Sequence, residues 1–380
     1  MNRLLRCLLT GAALAAVAGC GAAGSSSPAQ VALAPVRVPS DVSLVSGTTA
    51  WVDVAMGHLG QPLNTFWELF VRSGNGRWSL RTPQNVADNG GLTITAPDPA
   101  RLVVGFRPSQ GLTFSPLAVT GNDGRTYAPG LFPDGLDPVV DGLSVAPNGH
   151  SMAVARNRLL ESDRPTAGWR PLLNTAAALR SSADRSCGAR SAAAVAVTDR
   201  TDYLAANCPV RGTVGIFALA GRRLRFAGPR LPASFAGDWA QVIRLVSVDD
   251  RLAALLRLTG PTGRSDYVEA SMGAAGWRLS TPTPATGSVL STGLTAGGGF
   301  VVLSGSPSRP EAAAVISPGS GGWRTLPAPP ADTAVIVVSK SSVDAVVLGS
   351  VTFTDDRLTA TGRWSPVQTI RVPVPFGSSS

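Results

Sequence analysis

Side chains able to do acid–base or nucleophilic chemistry are few in this chain, and they are scattered. The 380 residues include two histidines, His58 and His150, and three tyrosines, Tyr127, Tyr203 and Tyr267. There are four glutamates, Glu68, Glu161, Glu269 and Glu311, and two adjacent acid pairs, Asp249-Asp250 and Asp355-Asp356. Glycosidic hydrolysis needs two carboxylates roughly 5 to 10 Å apart. Both acid pairs, however, fall at expected turns, where solvated aspartates are ordinary. No GxSxG, P-loop or HExxH pattern occurs. Cys187 and Cys208 have no CxxC partner, and with two histidines the chain offers no metal-ligand set. The reading is therefore of a non-enzymatic chain without cofactor or metal.

Arginine is the functional group that does recur. The formal net charge is +9, and Lys340 is the single lysine. Guanidinium grips phosphate and carboxylate through two parallel hydrogen bonds, so a basic surface of arginines suits an anionic partner. No compact basic run with interleaved aromatics is present, which argues against nucleic acid.

The N-terminus points to a compartment. Met1 to Arg6 is a short cationic segment, and Cys7 to Ala18 is an apolar run too short to remain as a membrane-spanning helix. Val17-Ala18-Gly19-Cys20 resembles the bacterial lipobox. That resemblance implies a signal peptide over residues 1–19, with Cys20 lipidated and serving as the mature N-terminus. Several acyl chains on one cysteine would give a stable membrane anchor. Residues 20–40, with Ser25-Ser26-Ser27 and Pro28, read as a flexible tether. The expected location is the extracytoplasmic face of the cell membrane. Losing Arg3 and Arg6 with the leader leaves a net charge of +7.

A glycine-aromatic unit recurs along the rest of the chain. Its anchors are Trp78, Tyr127, Trp169, Leu224, Trp277, Trp323 and Trp364, spaced 49, 42, 55, 53, 46 and 41 residues apart. A period of this size predicts an all-β protein, a seven-bladed β-propeller of four-stranded antiparallel blades, with six or eight blades as the neighbouring counts. The expected blades are 42–85, 90–133, 139–175, 190–233, 240–284, 288–330 and 333–376, forming one domain over residues 41–376 with a tail at 377–380. In each blade strands A and B are near-continuous apolar runs, as strands buried on both faces are. Strand D carries the anchor and is followed by proline, which suits an outer edge. Strand C of blade seven is expected at Leu358 to Thr361. A short helix is expected over Asn174 to Arg180, and Val31 to Val38 is expected to add an outer strand to the last blade.

Cys187 and Cys208 are an even pair in an oxidising compartment and are expected to form a disulfide. One precedes strand A of blade four and the other ends strand B. Because A and B are antiparallel neighbours, the two lie within bridging reach. In the same topology the B-to-C and D-to-A connections share one face of the ring. Arg107, Arg156, Arg158, Arg211, Arg264 and Arg309 lie in or beside B-to-C connections, and Arg180, Arg185 and Arg190 precede blade four. Together they form a candidate anionic-ligand face.

Thr120-Gly121-Asn122-Asp123-Gly124-Arg125-Thr126-Tyr127 resembles the Asp-box (bacterial neuraminidase repeat), with asparagine in place of its aspartate and tyrosine in place of its tryptophan. That box is a structural turn, so the resemblance implies a fold rather than an activity. The tryptophans are expected to pack between blades. A sialidase would need a tyrosine–glutamate pair, three arginines and an aspartate in a recognisable arrangement, and none is visible. The favoured reading is a monomeric, membrane-anchored binding module whose partner is an anionic envelope polymer or a secreted or membrane protein. A divergent glycan-active hydrolase or lyase, and an accessory factor for assembling a membrane complex, are the alternatives.

Overall fold

A computed structural model of the chain describes residues 40–45, 47–57, 65–83, 91–106, 117–133, 140–181, 187–189, 191–248, 251–305, 313–317 and 322–373. These residues lie in the unit Leu33–Ser380. They form seven antiparallel blades, each laid out A-B-C-D from the axis outwards. Blade one comprises β1 (Ser40–Val45), β2 (Thr49–Gly57), β3 (Thr65–Ser73) and β4 (Ser79–Leu80); blade two comprises β5 (Leu92–Thr95), β6 (Leu102–Phe106), β7 (Leu117–Thr120) and β8 (Ala128–Gly130). Blade three follows as β9 (Val140–Val145), β10 (Ser151–Ala155), β11 (Arg158–Ser162) and β12 (Arg170–Asn174). The helix α1 (Thr175–Ser181) leads to blade four, β13 (Ala192–Val197), β14 (Asp202–Ala206), β15 (Ile216–Ala220) and β16 (Arg223–Phe226). Asn174 caps that helix, its Oδ1 accepting from Ala177 N at 2.8 Å.

Blade five is β17 (Trp239–Val248), β18 (Arg251–Thr259), β19 (Ser265–Gly273) and β20 (Gly276–Leu279), with β21 (Thr283–Pro284) paired to β19. Blade six is β22 (Ser288–Leu294), β23 (Phe300–Gly305), β24 (Ala313–Ile316) and β25 (Arg324–Thr325). Blade seven is β26 (Thr333–Val338), β27 (Val343–Leu348), β28 (Thr352–Leu358) and β29 (Trp364–Arg371). The expected seven-bladed ring is thus the observed one.

Burial explains the apolar runs. Every residue of β6 and β10 is buried, because each B strand is covered by a neighbouring blade on both faces. The inner strands of blades three to seven share a second device. Each slips register against strand B, skipping Asp141, Ala193, Ile243, Leu290 or Ala334. A bulge adds local twist and bend, which lets the inner strand curve about the axis. Close approach also sets composition. A Cβ on Gly105 would sit 2.9 Å from Val140 Cγ1 of the next blade.

Two features depart from expectation. Strand C of blade seven runs from Thr352 to Leu358, so Asp355 and Asp356 lie inside a strand rather than in a solvated turn. The reason is charge compensation from other strands, described below. In addition, β1 pairs in parallel with β22 of blade six, Ser40 opposite Ser291 and Asp41 opposite Thr292, which draws the first strand towards the axis. The outer strand expected from Val31 to Val38 lies outside the described residues, as do the leader, Cys20 and the tether.

Candidate binding surface

The joints between blades follow a rule set by the anchors: the anchor of one blade reaches back to the blade before it. Tyr127 Oη donates to Arg81 O at 2.7 Å, and Trp277 Nε1 to Ala227 O at 2.6 Å. Trp323 Nε1 donates to Ser280 Oγ at 3.1 Å, and Trp364 Nε1 to Ala328 O at 2.9 Å. Trp169 packs edge-on against Phe132, with ring centroids 5.0 Å apart. Trp78 reaches Phe353 of blade seven, 5.5 Å between centroids. The tryptophans therefore serve as inter-blade wedges. Blade four has Leu224 at this position. Its joint with blade three is backed instead by α1 and by the Cys187–Cys208 disulfide, whose Cα atoms are 4.8 Å apart across a sequence separation of 21.

The ring closes through buried charge. Arg72 at the end of β3 is 1% exposed and donates through Nη2 to Asp344 Oδ2 at 2.7 Å, with Nη1 3.4 Å from Asp355 Oδ2. Arg357 Nε donates to the other oxygen of Asp344 at 2.8 Å, and Ser342 Oγ also donates to that carboxylate. Arg72 lies over the Trp78 ring at 4.7 Å. Burial pushes the Asp344 carboxyl up, but the hydrogen bonds and charge from Arg72, with Ser342 and Arg357, outweigh it and hold the group below the usual carboxylate range. Asp355 is less well served: burial, and then the Asp344 charge, push it up to about 6. The reading of Asp355 as a solvated turn residue is overturned because a charged strand can be buried when the opposing blade supplies its counter-ion; Asp356 beside it is half-buried. This cluster went unrecognised in the sequence, although a lone charge inside an apolar run, as in Val343-Asp344-Ala345-Val346, is the signal to look for.

The consecutive antiparallel strands, with inner strands parallel (Thr295 bridges Val338, and β1 pairs β22), put the B-to-C and D-to-A connections on one face, here called the upper face. Arg156 occupies a left-handed position, φ 55°, in the tight turn between β10 and β11, and Arg158 begins β11. Arg211 is tied to the adjoining D-to-A connection: its guanidinium lies 4.0 Å over the Trp239 ring, and Nη1 donates to Gly237 O at 3.2 Å. Arg264 is 73% exposed, with Asp266 3.9 Å away. Arg107, Arg309, Arg185 and Arg190 lie outside the described residues. The topology therefore gathers Arg156, Arg158, Arg211 and Arg264 on one face, where Arg156, Arg211 and Arg264 are exposed. On the opposite face His150 meets Asp202 across the blade three–four joint, Nε2 to Oδ2 3.0 Å. The hydrogen bond that the imidazole donates to the Asp202 carboxylate outweighs burial and raises the imidazole pKa.

No protein-family model matches the chain, and no curated protein matches it in sequence. Solved structures do match. A puromycin-hydrolysing peptidase of Mycobacterium tuberculosis aligns with a TM-score of 0.51 at 13% identity, over 88% of this chain and 54% of that one. YCF48 bound to D1 peptide aligns with a TM-score of 0.45 at 10% identity, over 82% of this chain and 92% of that one. The SapL1 lectin in complex with α-methyl fucoside gives 0.46 at 12% identity, over 77% and 96%. Likeness at these identities is a likeness of fold, and the chain is a β-propeller.

Proposed function

We propose that this protein is a lipid-anchored, extracytoplasmic module whose propeller binds an anionic component of the cell envelope without catalysing a reaction. The anchor reading rests on Val17-Ala18-Gly19-Cys20 and the charged and apolar segments before it. The observation that carries the non-catalytic reading is how the acids are used. Asp344 and Asp355 serve Arg72, and Glu269 accepts from Ser317 Oγ within the blade five–six joint. Glu68 accepts from Thr82 Oγ1 within blade one. These four carboxylates are buried in joints and strands, out of hydrogen-bond reach of a substrate, and a general acid must have that reach whatever its pKa. Arg156, Arg211 and Arg264, by contrast, lie at the surface, and a guanidinium suits phosphate or carboxylate.

Fractionation tests the anchor: Cys20→Ser is expected to move the protein from the membrane to the soluble fraction, and a variant that stays membrane-bound refutes it. Binding tests the module. The full-length protein should sediment with anionic cell-wall polymer at low salt and release it as salt rises, since exposed charge pairs are screened. Turnover of any glycan in a substrate panel, abolished by removing one carboxylate, would make the protein an enzyme instead.

A further inference from the structure

A cleft of about 790 Å³ runs along the outer joint between blades one and two. Both outer strands beside it are short: β4 has 2 residues and β8 has 3. Arg81 and Arg125 both line it, and its described lining contains no Asp or Glu. Arg81 donates through Nε to Asp123 O and through Nη1 to Leu80 O, each at 3.1 Å, so carbonyl groups hold the guanidinium in place without cancelling its charge. Arg125 is exposed at the tip of the turn. Tyr127 donates its hydroxyl hydrogen to Arg81 O, and burial holds its pKa far above the ordinary value, so the ring stays neutral beside the cations. Gly124, at φ 72°, lets the turn press on this arginine; a Cβ there would lie 2.9 Å from both Arg81 Cβ and Tyr127 Oη. Leu80, Leu117 and Pro129 add apolar wall.

We propose that this cleft binds a carboxylated sugar unit of an acidic polysaccharide. The proposal rests on the reading of the ring as an anion-binding module and places its specific site at this joint rather than on the upper face. The volume is that of small-ligand sites, which combine apolar walls with a few fixed polar groups. Two guanidiniums without a facing acid suit an anionic group, carboxylate or phosphate. The apolar wall and the Tyr127 ring suit the C–H face of a pyranose, which a glycerol phosphate chain does not offer.

Calorimetric titration of the full-length protein in detergent tests this, with tetragalacturonate as the probe, maltotetraose as its neutral counterpart and glycerol 3-phosphate as the phosphate counterpart. Tetragalacturonate should bind and maltotetraose should not. Arg125→Glu, and Ala128→Trp filling the cleft from exposed β8, should each weaken binding by about tenfold or more, while Arg264→Glu on the upper face should change it by less than about twofold. Weakening by Arg264→Glu alone overturns the cleft and leaves envelope binding in place. Tighter binding of glycerol 3-phosphate than of tetragalacturonate overturns the sugar-acid assignment. Wild-type protein that binds neither tetragalacturonate nor isolated anionic wall polymer removes the broader reading as well.

Discussion

Gln368 holds both backbone polar groups of Trp78. Its Oε1 accepts from Trp78 N at 2.8 Å, and its Nε2 donates to Trp78 O at 3.0 Å. One residue lies on the outermost strand of the last blade and the other at the entry to the outermost strand of the first, 290 positions apart in sequence. A side-chain amide thus does for the closing joint what one rung of a β-ladder does within a sheet. Phe70 and Phe353 stack beneath it, with centroids 4.0 Å apart.

Gln368→Ala should therefore cost more than an ordinary surface substitution. It leaves a partly buried N–H and C=O unpaired, a loss of about 1–3 kcal/mol. Urea unfolding compared with Thr369→Ala on the same strand measures it, and equal midpoints would show that the amide clamp contributes nothing.

Arg72→Met should be far more damaging. It removes the arginine bonded to Asp355 and one of the two bonded to Asp344, and removing one partner of a buried ion pair costs about 3–5 kcal/mol. Adding Asp344→Asn to Arg72→Met should recover part of that loss, since it removes a buried charge. A double-mutant cycle in thermal unfolding reads the coupling, and strict additivity would contradict the geometry.

The same joint gives a pH dependence with a definite sign. Asp355 titrates at about 6 in the folded ring against 3.8 when unfolded, so the folded state binds more protons between those values and its stability rises as pH falls through that window. His150 acts the same way at higher pH: its contribution is full below 6.5 and is lost as pH rises through its raised folded value. Asp344 acts oppositely, contributing above 3.8 and failing as pH falls towards its lowered folded value. These three groups together place the greatest stability near pH 4, at the acid end of the Asp355 window. Urea midpoints across pH 4 to 8 check this, and Asp355→Asn should flatten the slope below pH 6; an unchanged slope assigns it to other groups.

Reduction of Cys187–Cys208 should destabilise the ring by about 3 kcal/mol, the chain-entropy value for a closed loop of this length. The disulfide backs the one joint whose anchor is Leu224. Cys187→Ser with Cys208→Ser, unfolded beside the oxidised protein, should show the loss without any reductant, and matching midpoints would mean that α1 and packing suffice.

Much of the ring was legible along the chain because the blade is a local object. A glycine turn followed by a bulky ring, or by Leu224 in blade four, marks each C-to-D connection, and apolar A and B runs mark the strands covered on both sides. Blade six begins at Ser288 and blade seven at Thr333, both where they were expected. The failure was also local in origin. Thr352-Phe353-Thr354-Asp355-Asp356-Arg357-Leu358 carries too much charge to read as a covered strand. The counter-ion that makes it one, Arg72, lies 283 residues away.

Repeat number, strand order and the cysteine bridge follow from patterns within about 50 residues of sequence, the length over which a blade makes its own hydrogen bonds. How the ring meets itself does not follow from such patterns. The Arg72 cluster, the Gln368 clamp, the pairing of β1 with β22 and the open cleft between two short outer strands all join segments that have no neighbourhood in the chain. Such contacts depend on where a strand stops and on what the facing blade presents once the ring has closed.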